Sequence, residues 1–356
     1  MRIAMVHASF SVRGGAENYL DDLAAALVDR GHQVRVFTAA DRPRWSARLP
    51  GKAAVHLGDL LDPTGLRPRD LRVFRPDVVH VHNWQGLGVL PVARLARAYP
   101  TVHTVHDYAV VDPNNAMLSL GRSGLLDATL RLRSAWILRR FAAVSLIYAT
   151  PRARAAVVRS APRTRQPRSR IVPLAVAGHR ATADLPPGDP GTFLYLGALG
   201  VHKGVDLLLE AWDSPGTLLV AGDGPLRDEV RRAAAASGGS VIYLGPLDAD
   251  GKRAAFGRAG WLVFPSRHVE TYGLVCAEAL IAGRPVIAGA HAPPPMAGEK
   301  SVLLYHGVDG LRATLRRAAG MSPDEYAAVA AAAAADGREL DWDAHVGAVL
   351  DAYRSR

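Results

Sequence analysis

Apolar runs with the two-residue period of a strand alternate with runs of helical period along almost the whole chain, interrupted once by the Pro/Gly-rich stretch Leu185 to Gly191. That alternation is the pattern of βαβ units in a parallel sheet, and its interruption divides it into two successive runs. The first places strands near Ile3–Ala8, Gln33–Ala39, Val78–His82, Thr101–Val105 and Ala142–Ala149. The second places them near Phe193–Leu199, Thr217–Gly222, Val241–Gly245, Trp261–Ser266 and Pro285–Gly289, with helices near Val205–Trp212, Leu226–Ala236, Asp248–Arg258 and Gly273–Ala282 between them. The first helix, about Asn18–Arg30, keeps Leu20, Leu23, Leu27 and Val28 on one face and stops at Gly31, which enters the left-handed conformation cheaply. Ser322, Pro323 and Glu325 form a capping box that opens an alanine-rich helix expected to end near Gly337, and Trp342–Tyr353 reads as a last helix. The expected fold class is therefore α/β, with two doubly wound Rossmann-like domains facing a cleft: residues 1–180, residues 181–335, and a closing helix in 336–356. Ligands of such sheets sit at the carboxyl ends of the strands.

With 356 residues, 49% of them hydrophobic and 21% charged, the chain has apolar material for two cores and is no disordered polymer. Its single cysteine, Cys276, excludes a disulfide framework and a cysteine-based metal centre and fits a reducing compartment. No run of eighteen uncharged apolar residues offers a spanning helix, and Met1 to Val12 lacks the regions of a signal peptide. The expected location is cytoplasmic, with the inner face of the membrane as a peripheral station.

The net charge of +10 is unevenly placed. Residues 1–180 hold 27 Lys and Arg against 12 Asp and Glu, whereas 181–356 hold 16 against 21, and Arg122 to Arg180 contains thirteen arginines and one acid, Asp127. Such asymmetry suggests an anionic partner: an acidic substrate or a membrane surface. Arg131, Arg133, Arg139 and Arg140 around Leu130, Leu132, Trp136 and Phe141 read as an interfacial helix, against the plainer reading of a helix packed on a sheet with its arginines in water. Nucleic acid is not expected, because the stretch lacks the aromatic pattern of a single-strand binder.

The densest chemical signal is Pro265-Ser266, then Glu270-Thr271-Tyr272-Gly273-Leu274, Glu278-Ala279, Gly283 and Pro285-Val286. A buried strand ends at Ser266 and a helix starts near Gly273, so free backbone N–H groups form a seat for phosphate, where a negative charge gains about 0.3–1 kcal/mol. Gly273 lets backbone approach a ligand, and two glutamates accept hydrogen bonds from hydroxyls, which suits a sugar or ribose. A second constellation, Gly197 to Gly204, sets Lys203 in a turn after a strand, where it can neutralise a diphosphate as a point charge or be an ordinary solvated lysine. Gly222-Asp223-Gly224-Pro225 is turn chemistry by itself, and Gly14-Gly15-Ala16-Glu17 lacks the dinucleotide fingerprint, which disfavours NAD. His80, His82, His103 and His106 fall at two strand ends and read as cleft-lining hydrogen bonders rather than metal ligands; Asp107 adjoins the last.

In this order, the Gly14-Gly15-Ala16-Glu17 loop, Gly31-His32, Val79 to Asn83, Thr104 to Tyr108, Lys203-Gly204, Gly222 to Pro225 and the Glu270/Glu278 block resemble glycosyltransferase family 4, retaining nucleotide-sugar enzymes of GT-B architecture. The resemblance spans nearly the whole chain. It implies a donor, UDP- or GDP-linked, held mainly by the second domain, with Lys203 on the diphosphate, Glu278 on the ribose, Glu270 on the donor sugar, and Tyr272, Gly273 and Leu274 meeting sugar or phosphate through their backbone. It also implies His106 near the anomeric centre, Gly15 near the phosphate, a closing helix that crosses back onto the first domain, and a glycan, lipid or small-molecule acceptor. No cofactor and no metal are expected, because preorganised dipoles and Lys203 can stabilise a departing diphosphate. Where many relatives carry an arginine this chain has Ala198, which leaves the diphosphate to Lys203 and backbone or to another arginine such as Arg267; His291 to Pro295 stands where relatives often show glycines. A GT-B nucleotide-sugar epimerase and a non-catalytic nucleotide-sugar binder are the alternative readings.

Overall fold

The computed structural model describes residues 1–8, 14–41, 44–48, 50–113, 124–177, 184–213 and 216–355. Arg122 and Arg180, the ends of the arginine-rich stretch, lie outside the described residues. The chain forms two compact units, unit 1 from 1–174 with 343–356 and unit 2 from 175–342.

Unit 1 holds β1 (Arg2–His7), β2 (Gln33–Thr38), β3 (Val78–Val81), β4 (Thr101–Val105), β5 (Val144–Tyr148) and β6 (Ser169–Ile171) in one parallel sheet of order β2-β1-β3-β4-β5-β6. Its helices are α1 (Gly15–Asp29), α2 (Lys52–Leu61), α3 (Val89–Ala98), α4 (Gly124–Arg140) and α5 (Pro151–Ser160). Central strands β1, β3 and β4 are buried on both faces, as covered parallel strands are, although β3 and β4 carry His80, His103, Thr101 and Thr104 there. The helix α1 starts at Gly15, three residues before the hydrophobic pattern becomes periodic, because the Glu17 carboxylate accepts the Gly14 amide at 2.9 Å and caps the first turn. It ends before Gly31, whose φ is +80°.

Unit 2 holds β7 (Asp189–Leu196), β8 (Thr217–Ala221), β9 (Val241–Gly245), β10 (Ala259–Phe264), β11 (Val286–Gly289) and β12 (Val302–Tyr305), again all parallel, in the order β12-β11-β10-β7-β8-β9. The chain runs outward from β7 in one direction and from β10 in the other, so the switch of direction falls between these two strands, where open sheets of this kind bind ligands. Helices α6 (Val205–Ala211), α7 (Arg227–Ala236), α8 (Ala249–Arg258), α9 (Leu274–Ile281), α10 (Gly307–Ala319) and α11 (Pro323–Arg338) complete the unit. The last helix, α12 (Trp342–Arg354), belongs to unit 1 from Asp343 onward: His345 joins Tyr19 and the Pro173 carbonyl at 2.9 and 2.7 Å, and Tyr353 joins His80 at 2.7 Å.

The alanine-rich helix ends where its sequence places the end, whereas one expectation for α4 is corrected. The helix α11 ends at Arg338, one residue past Gly337; a Cβ at that glycine would collide with the Leu280 carbonyl of α9, so it also serves close helix packing. Neither Arg133 of α4 nor Phe141, the residue just past its end, faces outward. Phe141 is fully buried, and the Arg133 guanidinium donates to the carbonyls of Ala109 and Val110 at 2.8 and 3.2 Å beside the Trp84 ring, where burial lowers its pKa to about 10.

Candidate functional site

In unit 2 the turn after β7 brings Lys203 to the switch point. A short 3-10 turn, Val201–Lys203, ends at Gly204 with φ +71°, and a Cβ there would strike the Pro265 carbonyl at the end of β10. Only glycine allows the two strand ends to approach so closely. Gly222 and Gly224 serve the same packing: side chains at either would run into the backbone of Gly197 or Leu199, and Leu226 and Asp223 exchange backbone hydrogen bonds with Leu199. The Gly222–Pro225 turn therefore shapes the loop that carries Lys203.

Across the switch point, Ser266 is buried at the end of β10 and donates to Glu270 Oε1 at 3.0 Å, while Lys203 Nζ donates to the same oxygen at 2.6 Å. Lys203 and Glu270 are nevertheless 30% and 21% exposed, so a ligand can reach both. Gly273, φ +86°, caps α9, and the first-turn amides of Leu274 and Val275 point out of the helix end where no helical carbonyl can accept them. Four residues into α9, Glu278 accepts from Lys252 Nζ of α8 at 2.9 Å. Tyr272 is buried, and its hydroxyl, without a hydrogen-bond partner among the described residues, is pushed well above the usual phenol range by burial.

The structure thus gathers Lys203, Glu270, Tyr272, Gly273, Leu274 and Glu278 at one end of one sheet. Sequence reasoning missed Ser266 as a partner of Glu270 and missed Lys252, whose only signal was its place among just four lysines. Arg267 is committed elsewhere: its guanidinium pairs with Asp206 of α6 at 2.6 Å. Ala198 is exposed, and its carbonyl accepts from the Tyr195 hydroxyl at 2.7 Å and from the Gly200 amide at 3.0 Å. His291 turns back so that its Nε2 lies 3.0 Å from the Ser266 carbonyl.

In unit 1, His106 follows β4 and is half-buried, its Nε2 3.3 Å from His82 Nδ1 with the two rings stacked and Tyr19 edge-on. Burial, reinforced by His103 and His7, lowers its pKa to about 3, so at neutral pH it is an uncharged hydrogen-bonding imidazole. Gly15 is exposed at the first turn of α1. The neighbouring Glu17 carboxylate is raised by burial, yet its bonds to His7 and to backbone amides outweigh this and hold it below the ordinary value. His80 and His103 do not line a cleft. Both are buried, His80 between the Tyr353 and Thr104 hydroxyls at 2.7 Å each and His103 on the Val81 carbonyl at 2.9 Å.

Among the described residues no three His, Cys, Asp or Glu side chains converge as metal ligands, and no helix is long and apolar enough to cross a membrane.

Comparison with known proteins adds a family to this geometry. Residues 13–176 match the family described as Glycosyltransferase Family 4, and residues 190–321 match Glycosyl transferases group 1. The D-inositol 3-phosphate glycosyltransferase of Thermobispora bispora is 27% identical over 395 aligned positions, covering 96% of this chain and 89% of the relative. Among solved structures, sucrose-phosphate synthase from Thermosynechococcus elongatus superposes with a TM-score of 0.73 at 20% identity over 99% of this chain and 98% of that one. Anabaena HepE, solved in complex with UDP and glucose, gives 0.70 at 17% identity over the whole of both chains.

Proposed function

Given that this chain is a GT-B glycosyltransferase of the family 4 type, we propose that it moves a sugar from a nucleoside-diphosphate donor to an acceptor hydroxyl with retention at the anomeric carbon. The observation that carries this reading is the convergence of one lysine, two glutamates and a helix N-terminus at the β7/β10 switch point of unit 2. Each group matches a part of such a donor. Lys203 and the opening amides of α9 meet the diphosphate, Glu278 accepts from ribose hydroxyls, and Glu270 accepts from hydroxyls of the sugar. HepE, with UDP and glucose bound, supports a nucleotide of this kind.

In the proposed reaction the bond from the anomeric carbon to the diphosphate breaks, and the acceptor oxygen forms the new bond on the same face of the sugar. The acceptor proton passes to the departing phosphate oxygen. Charge grows on that diphosphate as the bond breaks, and we assign its stabilisation to Lys203 and the α9 dipole, groups set in place before reaction. His106, held neutral by burial, is assigned a hydrogen bond to the sugar, a role that neither supplies nor needs a positive charge. Gly15 is assigned to the phosphate, where the absence of a side chain permits close approach. The acceptor class is a glycan, a lipid or a small molecule, and the reaction is placed in the cytoplasm.

The test is release of free nucleotide from a panel of UDP-, GDP-, ADP- and dTDP-sugars, by the wild type and by Lys203→Ala, with glycosylated acceptor detected by mass. One donor consumed with product formed, and lost in the variant, supports the reading. A sugar epimer released without acceptor, or a nucleotide bound but never turned over, replaces it with an epimerase or a binding protein.

A further inference from the structure

The positive charge of the first half of the chain has a definite place in the fold. In the sheet of unit 1 the chain steps from β1 to β2 in one direction and from β2 to β6 in the other, so right-handed crossovers put α1 on one face and α2, α3, α4 and α5 on the other, each packed beside the next. The two layers differ in charge. Helix α1 carries Glu17, Asp21, Asp22 and Asp29 and no basic residue. Helices α3, α4 and α5 together carry nine arginines and one acid, Asp127, which is paired with Arg131 at 2.6 Å. Of the nine only Arg133 turns inward; Arg94, Arg97, Arg139, Arg140, Arg154 and Arg159 all stand in water. The acid of α2, Asp59, is buried against Arg44 at 2.6 Å and adds nothing to the surface.

The same layer exposes large apolar side chains. Trp45, Leu57 and Leu61 are 56%, 57% and 54% exposed, and Leu132 of α4 is 72% exposed. Trp45 and α2 form one packed piece: the amides of Trp45 and Ser46 donate to Thr64 and Asp62 just past the end of α2 at 3.0 and 2.9 Å, and Ser46 occupies the space that a side chain at Gly58 would need. These apolar groups are thus held outward on fixed backbone.

We propose that this α2–α5 layer docks the enzyme on an anionic lipid surface, with Trp45, Leu57, Leu61 and Leu132 entering the interface and the arginines meeting lipid phosphates. A few separate apolar side chains fall far short of the ~1,200–2,000 Å² that a stable protein pair buries. Shallow insertion combined with electrostatic attraction needs no more than this, and tryptophan favours the headgroup boundary. Nucleic acid would account for the arginines but not for three outward leucines.

Cosedimentation of the full chain with phosphatidylcholine vesicles, and with vesicles containing about one third phosphatidylglycerol, tests the proposal. Binding to the anionic vesicles alone is expected. Arg139→Glu with Arg140→Glu should weaken it by about fivefold or more per residue. Leu57→Ser with Leu61→Ser should abolish the part that survives about 1 M salt, where charge is screened. All four positions are exposed, and unchanged thermal melting verifies that both variants fold. Failure of the wild type to bind anionic vesicles, or unchanged binding by both variants, overturns the proposal. So does tight binding of single-stranded RNA that is indifferent to the leucine pair. The proposal stands apart from the assigned reaction, because a chain that binds nucleotide sugar but no vesicle contradicts this inference alone.

Discussion

Lys203 Nζ and Glu270 Oε1 lie 2.6 Å apart, so the cation assigned to the donor diphosphate and the carboxylate assigned to its sugar hold each other. The pair is fixed from both sides, because Ser266 donates to the same carboxylate oxygen at 3.0 Å. Removing the lysine takes away both a phosphate contact and the restraint on Glu270. Lys203→Ala is expected to lower kcat/KM by about 10²–10³, the effect of losing one preorganised group that stabilises transition-state charge. Steady-state kinetics on the matched donor checks it, and a loss below threefold would remove Lys203 from the diphosphate.

Glu278 is held by a residue from another helix, Lys252, at 2.9 Å. If Lys252 orients the carboxylate toward ribose hydroxyls, Lys252→Met should raise the donor KM by about three- to tenfold with little change in kcat, the signature of lost ground-state binding. Were the pair only one of many surface ion pairs, worth about 0–1 kcal/mol to stability and nothing to the ligand, KM would not move.

Unit 1 should be acid-sensitive. Burial lowers His103 and His345 to about 4, below their ordinary value, so the fold holds both neutral while the unfolded chain takes up their protons below about 6.5. Stability is complete above 6.5 and falls as the pH drops from there toward 4, by about 1.4 kcal/mol per pH unit for each such imidazole. Melting temperature should therefore decline between about pH 7 and about pH 5, and His345→Gln should flatten that slope. A melting temperature independent of pH in this window contradicts the buried neutral state.

Gly337→Ala should destabilise unit 2, because the new methyl meets the Leu280 carbonyl of α9, two residues beyond Glu278. Overpacking of this kind costs about 1–3 kcal/mol. Urea denaturation measures it, and an unchanged midpoint would mean that α11 moves away from α9 at no cost.

How far these relationships can be read from the chain depends on their range. Lys203, Glu270 and Gly273 each sit in a short segment where a buried strand meets a turn or helix start, and the strand periodicity places such segments at the carboxyl ends of a parallel sheet. Lys252 carries no such signal. Its partner lies 26 positions later, and only the packing of two helices brings them together. The histidines mislead for a related reason: His80 and His103 look polar in an apolar strand, yet Tyr353, Thr104 and the Val81 carbonyl satisfy them inside the core, and Tyr353 comes from the far end of the chain. Strand β6 has only three residues, and β12, four residues long like β3 and β11, lies at the sheet edge and is only partly buried, so it lacks their continuous buried run. Gly337 lies one residue from the end of α11, as its sequence suggests, but its packing on the Leu280 carbonyl carries no local signal because that carbonyl belongs to another helix.

Calorimetric titration of the chain with UDP, GDP, ADP and dTDP, repeated on Glu278→Ala, tests the central claim most directly. The account predicts measurable binding of one nucleotide diphosphate and a loss of at least about tenfold in the variant, the order expected when a charged acceptor of ribose hydroxyls is removed. Binding of none of the four, or equal affinity in wild type and variant, would contradict the placement of the donor at the end of the unit 2 sheet.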